Sequence, residues 1–115
     1  MKQSSIHIDV MLDEEKVPEG ISWNATDTSA DTTKKAKAMM LAFWDGADKA
    51  ALRIDLWTKE MMLDEMTDFF YQTLMTMAET YERATRYSEE SKELKEFARQ
   101  FYQKSRDRQL RENKI

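Results

Sequence analysis

The chain contains no cysteine, a single proline, two glycines and one histidine, and each shortage closes a branch of function. Without cysteine there is no disulfide framework, no thiolate nucleophile and no thiolate-rich zinc or iron–sulfur site, and a reducing compartment suits such a chain. With only Gly20 and Gly46 there is no glycine-rich loop to bring backbone N–H groups around a phosphate, which excludes a P-loop and a dinucleotide fingerprint. The lone histidine, His7, supplies neither a multi-histidine metal site nor a catalytic triad without partners. Long apolar runs are also missing: the densest, Ala38 to Trp44, falls far short of the ~18 residues a membrane helix needs. The opening Met1-Lys2-Gln3-Ser4-Ser5 lacks the apolar h-region of a signal peptide, so a cytoplasmic location is expected. Asn24-Ala25-Thr26 matches the glycosylation acceptor pattern and is set aside for the same reason.

What remains is a chain of 115 residues with net charge -4, the size of one compact domain with one hydrophobic core. Its charge is uneven. Residues 1 to 33 carry 2 positive and 7 negative side chains, whereas residues 88 to 115 carry 8 positive and 6 negative. A nucleic-acid partner calls for a more basic surface. The basic residues Lys104, Arg106, Arg108, Arg111 and Lys114 have signs fit for phosphate or an acidic protein surface, but mixed charge that completes a helix macrodipole and solvates a tail is the simpler account.

Apolar alternation organises the first half. Ile6, Ile8, Val10 and Leu12 alternate with Ser5, His7, Asp9 and Met11, the period of a half-buried strand. Asp13 to Gly20 supplies turn residues and the proline, and Ile21, Trp23 and Ala25 then form a second strand, with Val10 expected opposite Trp23 and Leu12 opposite Ile21. Asp27 to Lys34 is rich in Thr, Asp and Ser and is expected to be an exposed connection. Ala36 to Trp44 and Ala51 to Trp57 flank Asp45-Gly46-Ala47-Asp48-Lys49, a hairpin signal. If Phe43 faces Leu52, then Leu41 faces Ile54 and Met39 faces Leu56. All six large apolar side chains then share one face, expected to be the core side.

From Asp64 the period becomes helical: Met66, Phe69, Phe70, Thr73, Leu74, Met77, Tyr81 and Ala84 recur at three and four. Asp64, Glu65 and Asp68 place negative charge in the first turn, where the macrodipole favours it, so no metal site is needed to explain them. Ser88 is the expected N-cap of a second helix with a narrower stripe of Leu94, Phe97, Ala98, Phe101 and Tyr102. The fold class expected is therefore α+β: a two-layer domain of four mostly antiparallel strands in two hairpins, followed by two helices packed on one sheet face. Residues 1–104 form that domain, and 105–115 a charged C-terminal tail.

The opposite face of the second hairpin carries the functional candidates. Trp44 falls opposite Ala51, Ala42 opposite Arg53, Met40 opposite Asp55 and Ala38 opposite Trp57. Arg53 and Asp55 are placed to form an ionic pair; an enzymatic or ligand-binding reading makes Asp55 a general base and Arg53 an anion binder, and a surface ion pair of little weight is the simpler one. Two tryptophans, a methionine and an arginine on one face are what interface cores favour. Their cover is another protein, a second copy of this chain or the chain's own tail or connection. Nine methionines suit adaptable binding surfaces, though filling irregular gaps in a core is their commoner role.

The segment Ala36-Lys37-Ala38-Met39-Met40-Leu41 with Phe43-Trp44-Asp45, followed by Leu52 to Lys59, resembles the gliding motility-associated protein GldC family of the Bacteroidota. The similarity runs on through Asp64-Glu65-Met66, Phe69-Phe70, Gln72-Thr73-Leu74 and Met77-Ala78 to Glu82-Arg83-Ala84-Thr85, and Val17-Pro18 with Ile21-Ser22-Trp23 fits at the start. It extends to about Tyr102, and the stretch after Lys104 is unlike the family's usual short ending. The resemblance implies a small cytoplasmic accessory of the gliding machinery and brings no catalytic residues. The expectation is a non-catalytic adaptor without metal or cofactor, acting on a protein partner of that machinery or on a second copy of itself. Its candidate interaction face is Met40, Trp44, Arg53, Asp55 and Trp57.

Overall fold

The computed structural model describes residues 2–26 and 32–112. Five strands precede two helices, in the order β1 (Ile6–Leu12), β2 (Pro18–Ala25), β3 (Lys34–Ala36), β4 (Ala38–Asp45), β5 (Ala50–Trp57), α1 (Leu63–Thr85) and α2 (Ser88–Arg111). This is the expected α+β class, with one correction: the strands form two sheets, β1-β2-β3 and β4-β5, and number five where four were expected. Of the connection expected at 27–34, residues 27–31 lie outside the described residues, and Lys34 already pairs with Trp23 as the start of β3. The chain divides into two compact units, Met1–Met61 and Met62–Ile115.

In the first unit, β3 and β4 are one stretch of chain interrupted at Lys37, where it leaves one sheet for the other. The Lys37 carbonyl accepts the backbone N–H of Thr58 at 2.8 Å and its hydroxyl at 3.0 Å. One residue further on, the Lys59 N–H donates to the Pro18 carbonyl at 3.3 Å, so the end of β5 reaches the start of β2 where β3 and β4 part. The β4–β5 register is the expected one throughout, from Ala38 opposite Trp57 to Asp45 opposite Ala50.

The β1–β2 register is not: Val10 pairs with Ile21 and Ile8 with Trp23, two residues from the expected alignment. The cause is the turn. Asp13 Oδ1 accepts the N–H groups of Glu15 and Val17, and Lys16 takes a left-handed φ of 64°, so the chain reverses early and β2 begins at Pro18. A shift of two keeps every side chain on its expected face. Ile21 and Ala25 are buried there, and Ile8, Trp23 and Met39 join Ile21 around a small apolar hollow.

In the second unit α1 and α2 run antiparallel, with Thr67 against Gln109 near one end and Ala78 against Ser91 near the other. The buried seam is Thr67, Ala78, Ser91, Ala98 and Gln109, all small or hydrogen-bonded; of the expected apolar stripes only Ala98 lies in it, and the larger members sit on its flanks. Met77 and Phe97 are about half exposed, because only side chains as small as Ala and Ser fit where two helix backbones approach closely. The Ser91 hydroxyl donates to the Ala78 carbonyl at 2.8 Å. Larger rings meet beside the seam: Tyr71 and Tyr102 have centroids 4.9 Å apart, Phe70 and Phe101 6.3 Å. Helix α2 is capped at Tyr87, one residue before the expected Ser88, and continues to Arg111, so residues 105–111 are helical.

The turn between the helices places Arg86 at φ 67°, with its N–H donating to the Glu82 carbonyl at 2.8 Å. That left-handed position favours glycine. Arg86→Gly is expected to raise the melting temperature, by relief of up to about 1 kcal/mol of backbone strain. In contrast, Ala98→Leu forces a large side chain into the seam and is expected to destabilise by about 1–3 kcal/mol. Both are read by thermal or urea unfolding followed by circular dichroism.

Candidate functional site

The β4–β5 ladder builds the site by alternation. Residues 38, 40, 42 and 44 pair with 57, 55, 53 and 51, and side chains of one parity stand on one face. The structure therefore brings Met40, Trp44, Arg53, Asp55 and Trp57 together on a single face. Trp44 is 69% and Trp57 60% exposed, and Met40 is partly buried. The tryptophans mark the two ends of the ladder, about 20 Å apart for six residues of strand. Between them Arg53 grips Asp55 in a two-point fork, Nε to Oδ2 at 3.0 Å and Nη2 to Oδ1 at 2.9 Å. That hydrogen bonding, then the charge of Asp55, holds the Arg53 guanidinium above its ordinary pKa. The fork neutralises both groups on a surface open to water.

The other face of this hairpin departs from expectation. Phe43, Leu52 and Ile54 are 58%, 56% and 51% exposed, where the six-residue apolar face was expected to be core. The alignment of the six is correct, but alignment sets which side chains share a face and not whether a second layer covers it. Both faces of β4–β5 thus carry exposed large apolar side chains.

The remaining candidates have structural partners. His7 Nε2 lies 3.2 Å from Asp9 Oδ2 on the exposed side of β1. Asp64 Oδ1 accepts the Glu65 N–H, and Glu65 Oε1 accepts the Met62 N–H, so both work at the start of α1. Among the described residues no three His, Asp or Glu side chains converge on a point that would hold a metal ion.

Sequence reasoning missed an ionic link across the first unit. Lys59 Nζ pairs with Asp13 and lies 3.9 Å from Glu19 Oε1. Asp13 begins the β1–β2 turn and Lys59 follows β5, so only the fold brings them together. The one signal in sequence was the acidic turn Asp13-Glu14-Glu15, which called for a cation.

A two-sheet and two-helix α+β protein, in which no described helix is long and apolar enough to cross a membrane, with an exposed aromatic sheet face, is the class defined by these features. The model of the gliding motility-associated GldC-like family matches residues 18–107. The chain belongs to that family, and its association with gliding motility follows from membership. No curated protein and no solved structure matches it. The matched span runs past Lys104 into the last turns of α2, further than the similarity read from the residues.

The Asp13–Lys59 link sets a pH dependence. Hydrogen bonding to Lys59, then to the Val17 N–H, lowers the Asp13 pKa below its ordinary 3.8, and Asp13 raises Lys59 above 10.5. A depressed carboxylate stabilises the fold above its unfolded pKa and ceases to as pH falls through the folded one; a raised lysine ceases to as pH rises through its folded value. The stability difference between wild type and Asp13→Ala is therefore expected to be full between those ordinary values and to shrink toward strong acid, where a neutral Asp13 retains only its acceptance of the Glu15 and Val17 N–H groups. Urea unfolding from neutral pH down to about pH 2 measures it.

Proposed function

We propose that this protein is a non-catalytic accessory of gliding motility, working in the cytoplasm as an adaptor whose β4–β5 face docks a protein of the motility machinery. One observation carries the reading: Trp44 and Trp57 stand largely exposed on the same face, at either end of a neutralised Arg–Asp fork. Tryptophan and arginine dominate binding energy in interface cores, where they bury large areas and retain a polar handle. An Arg already paired with a carboxylate brings its partner charge with it, which lowers the cost of desolvating it under a docked protein. The alternative, a small-ligand or enzymatic site using Arg53 and Asp55, has less support, because an open strand surface supplies none of the enclosure that shifts a general base toward neutrality.

The test is co-purification of tagged wild type, Trp44→Ala and Trp57→Ala from native cells, read by quantitative mass spectrometry beside surface spreading. Each variant is expected to melt as wild type does and to lose known motility proteins by about 30-fold, the equivalent of about 2 kcal/mol for a buried interface tryptophan. Equal recovery by the variants removes the face from the function. Loss of folded protein would make the tryptophans structural.

A further inference from the structure

Among the described residues β5 pairs with β4 alone, so its other edge presents an unpaired row of backbone N–H and C=O groups. Such edges are templates for another strand, and proteins blunt them with charged side chains, with proline or with bulges. Strand β5, Ala50-Ala51-Leu52-Arg53-Ile54-Asp55-Leu56-Trp57, has no proline, and its β4 pairing runs without a register shift. Its two charges are of opposite sign and bracket Ile54. Read outward from Ile54, every step meets its complement: Arg53 and Asp55, Leu52 and Leu56, Ala51 and Trp57.

We propose that the outer edge of β5 pairs antiparallel with β5 of a second copy of this chain, about a two-fold axis at Ile54 that sets each Arg53 against the copy's Asp55. In this register residue k faces residue 108 minus k, and the β4–β5 ladder extends the match across four strands. One face reads Ala38, Trp57, then the copy's Ala51 and Trp44, with large and small side chains alternating. Its central rows read Met40, Asp55, then the copy's Arg53 and Ala42. On the other face, Met39 and Leu56 continue into the copy's Leu52 and Phe43, and Leu41 and Ile54 into their own counterparts. Opposite charges and apolar pairs placed directly across an antiparallel ladder are the favourable pairs, and a closed two-fold contact leaves neither β5 edge open.

The outer edge of β1 carries a similar bracket, His7 and Asp9 about Ile8. The β1–β2 ladder, however, shifts register between Met11 and Leu12, whereas β4–β5 runs without a shift, so β5 is the edge whose pattern stays in step with a copy of itself.

The native chain has no cysteine, so Ile54→Cys adds a single thiol to the full-length protein. Directly opposite Cα atoms in an antiparallel pair lie about 4.5–5.5 Å apart, within the roughly 4.4–6.8 Å a disulfide spans. Mild oxidation of purified Ile54→Cys is expected to give a disulfide-linked dimer at least about tenfold faster than Leu52→Cys, whose counterpart is the copy's Leu56. Equal rates, or faster dimerisation of Ile8→Cys, overturn the proposal. Separately, Arg53→Asp sets carboxylates against carboxylates across the axis and is expected to raise the dimer dissociation constant at least about tenfold, with recovery on adding Asp55→Arg. Sedimentation over a dilution series reads this, and melting at dilutions where the chain is monomeric separates loss of fold from loss of pairing. A wild type that is monomeric throughout, or an Arg53→Asp chain that dimerises as wild type does, overturns it. The test uses purified protein, so its outcome is independent of the motility reading.

Discussion

The carbonyl of Lys37 accepts both the backbone N–H and the hydroxyl of Thr58, and this acceptor marks the place where the chain passes from one sheet to the other. The β4–β5 register counts from it: Lys37 beside Thr58 leads to Ala38 opposite Trp57 and, seven pairs on, to Asp45 opposite Ala50. Because side chains alternate, that count decides which residues share a surface, and a slip of one would divide Trp44 and Met40 from Trp57 and Asp55. Thr58 is itself buried, so its hydroxyl would be costly to leave unpaired. The same short segment ends with Lys59, whose N–H reaches Pro18 and whose ammonium reaches Asp13. Four contacts from two adjacent residues thus hold β5, the bend at Lys37 and the β1–β2 turn together.

How much of this was legible in the sequence follows from the range of each interaction. The β4–β5 register could be read because a short loop joins two strands of matched apolar period, and only one alignment puts Phe43, Leu41 and Met39 beside Leu52, Ile54 and Leu56. The β1–β2 register slipped by two because the length of its turn depends on Asp13 capping two N–H groups, a local hydrogen-bond choice that apolar alternation does not encode. The split into two sheets was hidden because the bend at Lys37 leaves no mark in the pattern: Ala36 and Ala38 read as one continuous strand. The shared face of Met40, Trp44, Arg53, Asp55 and Trp57 was legible for the same reason as the register, and the Arg53–Asp55 fork followed from a spacing of two. The exposure of the six-residue apolar face was not, since an apolar stripe states what must be covered and not by what.

The helical unit shows the same limit in another form. Periodicity at three and four finds the apolar side of α1, but large residues dominate that signal and the seam is built from small ones. Ala98 belongs to the expected stripe, but Ala78 and Ser91 add little to one, yet side chains this small are what lie where the backbones approach. Phe70, Phe101, Tyr71 and Tyr102 then pack in pairs along the flank, where aromatic rings find edge and tilted contacts. Burial in a helical hairpin is decided by fit at the crossing, so hydrophobicity alone ranks its residues in the wrong order.

A strand has two faces and two edges, and these offer separate kinds of contact. Side chains on a face give pockets and aromatic anchors, whereas an edge gives a row of backbone hydrogen bonds with direction and register. In β5 one edge is taken by β4 and both faces carry exposed apolar side chains, while a two-stranded ladder by itself is of marginal stability in water. An exposed ion pair adds little to that stability, so under the proposed self-pairing the contribution of Arg53 and Asp55 would be to set register. A copy joined along the edge would leave the Trp44 and Trp57 face uncovered and double its extent, while ordering the ladder that displays it. Self-pairing and docking of a different protein therefore draw on perpendicular directions of the same hairpin, and the first would strengthen the second by fixing two sets of anchors on one rigid sheet.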